Sequence, residues 1–335
     1  MKTWKKAGLT ALAGSLVATS AFAGAMTVSG TANIAYAGNT GTEDSSSAAT
    51  TVYGQDGARW GMTKSISFAG SGEMDNGWTV SLGTTYSDAA TSAVNVKLDM
   101  GDAGTLDFEG GTSSRGIGKI ADMMPTANED VGDGININGT TASGGLSGAV
   151  SGGVEGFHYN KAMDMVEIGI GYAPKGGATA AAGSANGAGG ASTIGGFIKI
   201  DPMDGLEIGF GTGEVASAAG ATTTNDHTTA YITYVYGPVT VGYQESEVDK
   251  YNSSADDEAT RWGVLYAVND ELSISYQDHV NDDGGLATDE EATGWGASYT
   301  VGSMTFKAHR NSATNVGNAI ANESEHTEVG VTFAF

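Results

Sequence analysis

Cysteine is absent from the 335 residues, so neither a disulfide framework nor a thiolate metal centre is available. Proline is nearly absent, with 4 residues against 53 glycines, which excludes collagen-like and proline-rich linker compositions. Bases are scarce. The 15 Lys and Arg face 39 Asp and Glu, for a formal charge of −24, and a phosphate backbone would be repelled. Nucleic acid is therefore excluded as a partner. Beyond the N-terminus no apolar run approaches the roughly 20 residues that a spanning helix needs. The mean hydropathy of −0.15 would place the chain among soluble proteins. Catalytic signatures are missing too. The five histidines (His158, His227, His279, His309, His326) lie in no His-Glu-x-x-His context, and no Gly-x-Ser-x-Gly appears, so the chain reads as a non-enzyme. Each histidine is expected to be a polar residue of a rim or lumen.

What is present begins with an export signal. Lys2, Lys5 and Lys6 precede an apolar run from Ala7 to Val17, and Ala21-Phe22-Ala23 is a small-x-small cleavage site. That is a secretory signal peptide, too short to span a bilayer. Residues 1–23 are assigned to it and residues 24–335 to one further domain, with cleavage after Ala25 as the alternative. The final residues then show how the mature chain could be membrane-bound without a helix. Read at period two, Thr327, Val329, Val331, Phe333 and Phe335 share one face; His326, Glu328, Gly330, Thr332 and Ala334 share the other. A strand with one greasy and one small or polar face separates two media.

The same alternation recurs along the chain. Met26-Val28-Gly30-Ala32-Ile34-Tyr36 is the first apolar face, and Trp60, Met62, Ile66 and Phe68 mark the second. Asp75-Asn76-Gly77 is a tight-turn signal. About sixteen such strands are present in all, with turns of two to six residues alternating with longer loops, as in outer-membrane barrels. The expected fold is an all-β, transmembrane, antiparallel up-and-down β-barrel. Sixteen strands enclose water, whereas about eight would be filled by side chains. Aromatics such as Tyr36, Trp60, Tyr243, Trp262 and Trp295 fall near strand ends on the apolar phase, where interfacial girdles belong.

Charges within strands fall mostly on the other phase. Lys97, Asp99, Asp107, Glu109, Glu167, Lys199, Glu207, Arg261, Lys307 and Glu328 should face the lumen. Lys or Arg on the lipid face near the midplane costs about 2–4 kcal/mol. Lys64 is the exception, sharing the phase of Met62 and Ile66; a bulge or a subunit contact would each explain it. Glu245 to Glu258 and Val280 to Glu290 read as acidic external loops. Their roles are solvation, or bridging of lipopolysaccharide through divalent cations such as calcium. No EF-hand pattern or short Gly/Asp repeat marks a discrete metal site, and no cofactor is indicated.

The longest break in the pattern is residues 112–152, after the fifth strand. It mixes apolar anchors (Ile120, Met123, Met124) with carboxylates, and its length is hard to justify as a free loop. It is expected to fold back into the barrel. With that segment, Arg59-Trp60-Gly61, Asp75-Asn76-Gly77, Tyr159, Gly171-Tyr172-Ala173-Pro174 and terminal Phe335, the whole mature chain resembles the trimeric general porins of Gram-negative outer membranes, including their Rhodobacter-like branch. The resemblance implies a homotrimer in the outer membrane, in contact with its lipid and lipopolysaccharide. It also implies a third loop that narrows each pore, its acids facing basic wall residues, and passive diffusion of small hydrophilic solutes and ions. Carried over, Asp122, Glu129, Asp130 and Asp133 are the loop-side residues; Lys97 and Arg59 are the opposing wall, with Asp107, Glu109, Lys199, Arg261 and Lys307 lining the lumen. The short segment Ser87 to Ser92 departs from members whose second loop latches a neighbouring subunit. The acidic balance predicts cation preference. The alternative is a surface-structural barrel without transport.

Overall fold

The computed structural model describes residues 26–41, 57–88, 90–111, 115–135, 156–174, 191–216, 222–251, 256–284, 288–316 and 322–335. The expected signal peptide, and residues 112–114 and 136–152 of the segment expected to fold inward, lie outside them. Sixteen strands follow in order: β1 (Met26–Gly41), β2 (Gly57–Glu73), β3 (Thr79–Ser87), β4 (Ala90–Asp99), β5 (Thr105–Gly111), β6 (Gly156–Met163), β7 (Val166–Ala173) and β8 (Thr193–Met203) form the first half. The second half is β9 (Leu206–Ala216), β10 (Thr224–Tyr236), β11 (Val239–Asp249), β12 (Asp257–Ala267), β13 (Leu272–Asp283), β14 (Glu290–Val301), β15 (Met304–Thr314) and β16 (Glu323–Ala334). Each strand pairs with its neighbours in sequence, and β1 pairs with β16, so the sheet closes. Closure matters in lipid, where an unpaired backbone edge has no water to bond. Among the described residues no helix is long and apolar enough to cross a membrane; the strands cross instead.

The last residue completes the seam. Gly30 N–H donates to the Phe335 carbonyl at 2.8 Å, and Phe335 N–H donates to the Gly30 carbonyl at 3.0 Å. The Phe335 ring lies over Gly30, where a Cβ would come within 2.7 Å of it, so only glycine lets the ring lie flat there.

Phase is conserved around the whole ring. The register carries inward positions from Ala37 to Arg59, from Ser81 to Lys97 and on to Asp107, from Glu167 to Lys199, and from Lys307 to Gly330. Outside stand exposed Val, Ile, Leu and aromatic side chains, among them Ile34, Leu82, Ile170, Phe210 and Val329. So continuous an apolar exterior is tolerable only against hydrocarbon. Tyr36–Trp60 and Trp262–Tyr276 meet with ring centroids 5.3 Å apart on that outer face.

Two expectations are corrected. About half of each acidic segment is strand and not loop: β11 runs to Asp249 and β12 starts at Asp257, while β13 reaches Asp283 and β14 starts at Glu290. Alternation continues there with Glu245 and Glu247 outward and Ser246 and Val248 inward, but a polar outer face carries no hydropathy signal. Lys64 sits opposite Ala32 in an unbroken β1–β2 register, so no bulge turns it inward. It remains outside, 3.7 Å from Asp88 Oδ1, and its backbone N–H bonds the same carboxylate at 3.1 Å. Asp88 is there because the β3–β4 hairpin is short. Strand β3 pairs only with Ser65 to Glu73 of β2, so residues 57–64 form a step where the wall drops.

Candidate functional site

The described part of the segment expected to fold inward, residues 115–135, does so. After Arg115 it makes one 3₁₀ turn, Gly116–Ile120, and then continues to Ile135 inside the barrel. Its apolar anchors drive this. Ile117 packs with Ala121, Val215 and Val248; Ile120 packs with Phe197, Tyr231 and Met123. Farther on, Val131 and Ile135 pack with Ala292, Ala313 and Val316. The packed cores of the described chain thus lie between this loop and one side of the lumen wall. A barrel in lipid gains little from apolar contact outside, so the hydrophobic effect is concentrated where water would otherwise enter.

The wall is shaped to receive the loop. A Cβ on Gly242 would come within 2.6 Å of Pro125, and one on Gly211 within 2.9 Å of Ile120. Inward glycines on β7 to β14 leave the trough in which the backbone of the loop lies.

Amide side chains then hold it. Gln244 on β11 donates to the Ile120 carbonyl at 2.9 Å and accepts from Met123 N–H at 2.9 Å. Gln277 on β13 accepts from Val131 N–H at 2.8 Å and donates to Asp130 Oδ1 at 3.3 Å. Asn311 on β15 donates to the carbonyls of Asp130 and Asp133 at 3.0 and 2.9 Å. Gly116 N–H bonds His158 Nδ1 at 3.2 Å at the loop's start, and Gly134 lies against the His326 ring at its far end. The loop therefore runs along β6 to β16 in turn. Strands β1 to β5, with Arg59 and Lys97 at inward positions, form the remainder of the circumference.

The four loop carboxylates are not alike. Asp122 accepts from Arg261 Nη1 at 3.0 Å, and Arg261 Nε also bonds His279 Nδ1 at 3.0 Å. Arg261 is only 2% exposed. It faces inward as expected, but it clamps the loop and does not meet open water. Asp130 is half-buried beside Asp122. Burial first, and then the Asp122 carboxylate, push its carboxyl up to about 7. Glu129 and Asp133 stand nearer the open lumen. Burial raises the Glu129 carboxyl above the usual carboxylate range; Asp133 adds to the rise and Lys307 opposes it.

Elsewhere on the wall, Lys97 and Asp107 are neighbours in register, and Glu109 pairs in register with Asn95 and Gly156. Lys199 lies in register with Glu167, its Nζ 5.6 Å from the Phe197 ring centroid. Arg59 borders a lumen-side cavity of about 380 Å³ together with Asn39, Gly134 and His326.

All five histidines point inward and are buried, not set on a rim. The grips of Gln244, Gln277 and Asn311 were the functional parts that residue patterns did not reveal. Their signal was faint: large amides at inward positions next to glycines.

Comparison with known proteins agrees with this architecture. A search of curated proteins by sequence finds no match. Among solved structures, the anion-selective porin of Comamonas acidovorans is similar at 14% identity and a TM-score of 0.64, covering 93% of this chain and 99% of that one. OmpT of Vibrio cholerae is similar at 13% identity and a TM-score of 0.62, covering 95% and 99%. A Rh. blastica porin variant is similar at 15% identity and a TM-score of 0.59, covering 93% and 100%. The family model described as Gram-negative porin matches residues 8–335, and the chain belongs to that family.

Proposed function

We propose that this outer-membrane porin lets small hydrophilic solutes and ions diffuse passively through a water-filled lumen, with a preference for cations, and that it is a channel and not an enzyme. One observation carries the ionic preference. Glu129 and Asp133 stand toward open water on the loop, whereas Arg261 is spent in the buried pair with Asp122. Carboxylates facing a narrow, low-dielectric passage raise the local cation concentration and oppose anion entry. Lys97 and Arg59, on the uncovered wall, act as the opposing pole. Together they set a field across the passage that orders water and passing dipoles. The anion selectivity of the Comamonas acidovorans relative does not transfer, because a shared fold at 14% identity fixes no lining charge.

The assembly we infer is a homotrimer. Trp60 (72% exposed) and Met62 (61%) project outward from the step where the wall is low, beside the Lys64–Asp88 pair. A neighbouring subunit would cover this face more favourably than lipid covers a charged pair. Outward carboxylates above the aromatic band, with Glu247 directly opposite Glu258, are suited to divalent-cation bridges to lipopolysaccharide.

The test is stepwise conductance in a planar bilayer held across a salt gradient. Triplet steps with a cation-favouring reversal potential support the reading. An anion-favouring potential overturns the preference, and silence from a folded barrel overturns transport.

A further inference from the structure

At the far end of the loop three side chains from separate parts of the chain converge. Asp133 comes from the loop, His309 from β15 and His326 from β16, and one ligand atom from each lies within 4.8 Å of the others. His309 Nε2 is 3.5 Å from Asp133 Oδ2. The two rings face each other with centroids 5.1 Å apart and an interplanar angle of 30°. Both histidines are buried, at 2% and 6% exposure, and the Nε2 atom of each is out of contact with water and lacks a hydrogen bond. The Nδ1 atoms are occupied instead. That of His326 meets Asn39 Oδ1, which accepts its proton and leaves Nε2 with the lone pair. That of His309 lies 3.0 Å from Asn128 Nδ2, and the Asn128 carboxamide, whose Oδ1 is unbonded, turns over to accept from Nδ1 when Nε2 takes a metal. Two unused imidazole nitrogens beside one carboxylate, each ring held from behind by an amide, form a ligand set with its supporting shell.

We propose that Asp133, His309 and His326 bind a single divalent transition-metal ion of the zinc type. Ligand atoms about 2.0–2.2 Å from a tetrahedral metal lie roughly 3.5 Å apart, which the Asp133–His309 pair already meets. The remaining separations, none above 4.8 Å, close toward that distance as the rings settle. Two nitrogens and one oxygen suit Zn²⁺, Co²⁺ or Ni²⁺; calcium and magnesium, which want six or more oxygens, find a single carboxylate. The cavity lined by Asn39, Arg59, Gly134 and His326 borders the site on its His326 side, and Asp133 is itself partly open to the lumen, the side from which a water would complete the set. The bound ion would pin the end of the loop to the two strands that close the barrel.

The experiment is a Co²⁺ titration of the folded, chelator-stripped protein in detergent, followed by visible absorption and by competition with Zn²⁺ and Ca²⁺. A tetrahedral Co²⁺ band saturating at one ion per chain, displaced by Zn²⁺ but not by Ca²⁺, is expected. Asp133→Asn and His326→Gln should each weaken binding at least tenfold, and Asn39→Ala by about 10–100-fold. Glu271→Gln, in the exposed turn between β12 and β13, should leave it unchanged. Absence of the band overturns the proposal, and so does a band that survives Asp133→Asn, a loop change that spares the barrel strands. Loss of binding in Glu271→Gln instead would relocate it to surface acids and equally overturn the site.

Discussion

Arg261 reaches from β12 to Asp122, holding the loop carboxylate at 3.0 Å while its own guanidinium is almost wholly buried. Removing one partner of such a pair strands a charge away from water and costs about 3–5 kcal/mol. Asp122→Ala is therefore expected to free the middle of the loop. Single-channel records should show more open-channel noise and altered conductance, with amide exchange rising near Asp122 while the strands remain protected. The pair Asp122→Leu with Arg261→Met should restore quiet records, because apolar partners of similar size replace a buried ion pair at little cost.

Asp130 provides a pH dependence. Its carboxyl is raised from 3.8 to about 7, first by burial and then by Asp122. Between those values the folded loop holds a proton that an unfolded segment would release, so this contribution favours the docked loop at low pH. It is lost as pH rises through 7. Deprotonation also adds a negative charge beside the lumen. Cation-over-anion permeability should rise between about pH 6 and pH 8, and Asp130→Asn should flatten that step. Reversal potentials at several pH values measure it.

The glycine trough can be tested by filling it. Gly242→Val places a side chain where Pro125 already lies, and Gly211→Leu does the same beneath Ile120. Overpacking of this kind costs about 1–3 kcal/mol. Because the barrel wall is fixed by its hydrogen-bonded ladder, the loop should yield and move into the lumen. Conductance is expected to fall while the far-UV spectrum stays that of the parent barrel.

Subunit contact at the low wall predicts a selective effect. Replacing Trp60 and Met62 together by serine should lower the temperature at which trimers dissociate on unboiled gels, with monomer barrels remaining folded. Unchanged trimer stability would remove this face from the interface.

Much of this was determined by the sequence alone, because a membrane barrel writes its environment at period two. Met26 to Tyr36 and Thr327 to Phe335 state which face meets lipid, and the even strand count with alternating turn lengths follows from the same pattern. The inward phase of Lys97, Asp107, Lys199 and Lys307 was legible for the same reason: a charge on the lipid face is too costly near the midplane. Alternation faded beyond the aromatic band, where water replaces lipid and Glu245 and Glu247 can face outward.

The interior was decided by tertiary structure. Nothing local tells that Asp122 would be clamped by Arg261 while Glu129 stays near open water, or that Gln244, Gln277 and Asn311 would grip the loop's backbone. Asn128 and His309 are 181 residues apart, and Asp133 meets His309 and His326 only because the barrel closes β15 and β16 beside the end of an inward loop. Side-chain phase is a property of each strand, set by its two faces. The partners of an inward-facing side chain depend on how the loop crosses the lumen, and that is settled only once the ring is shut.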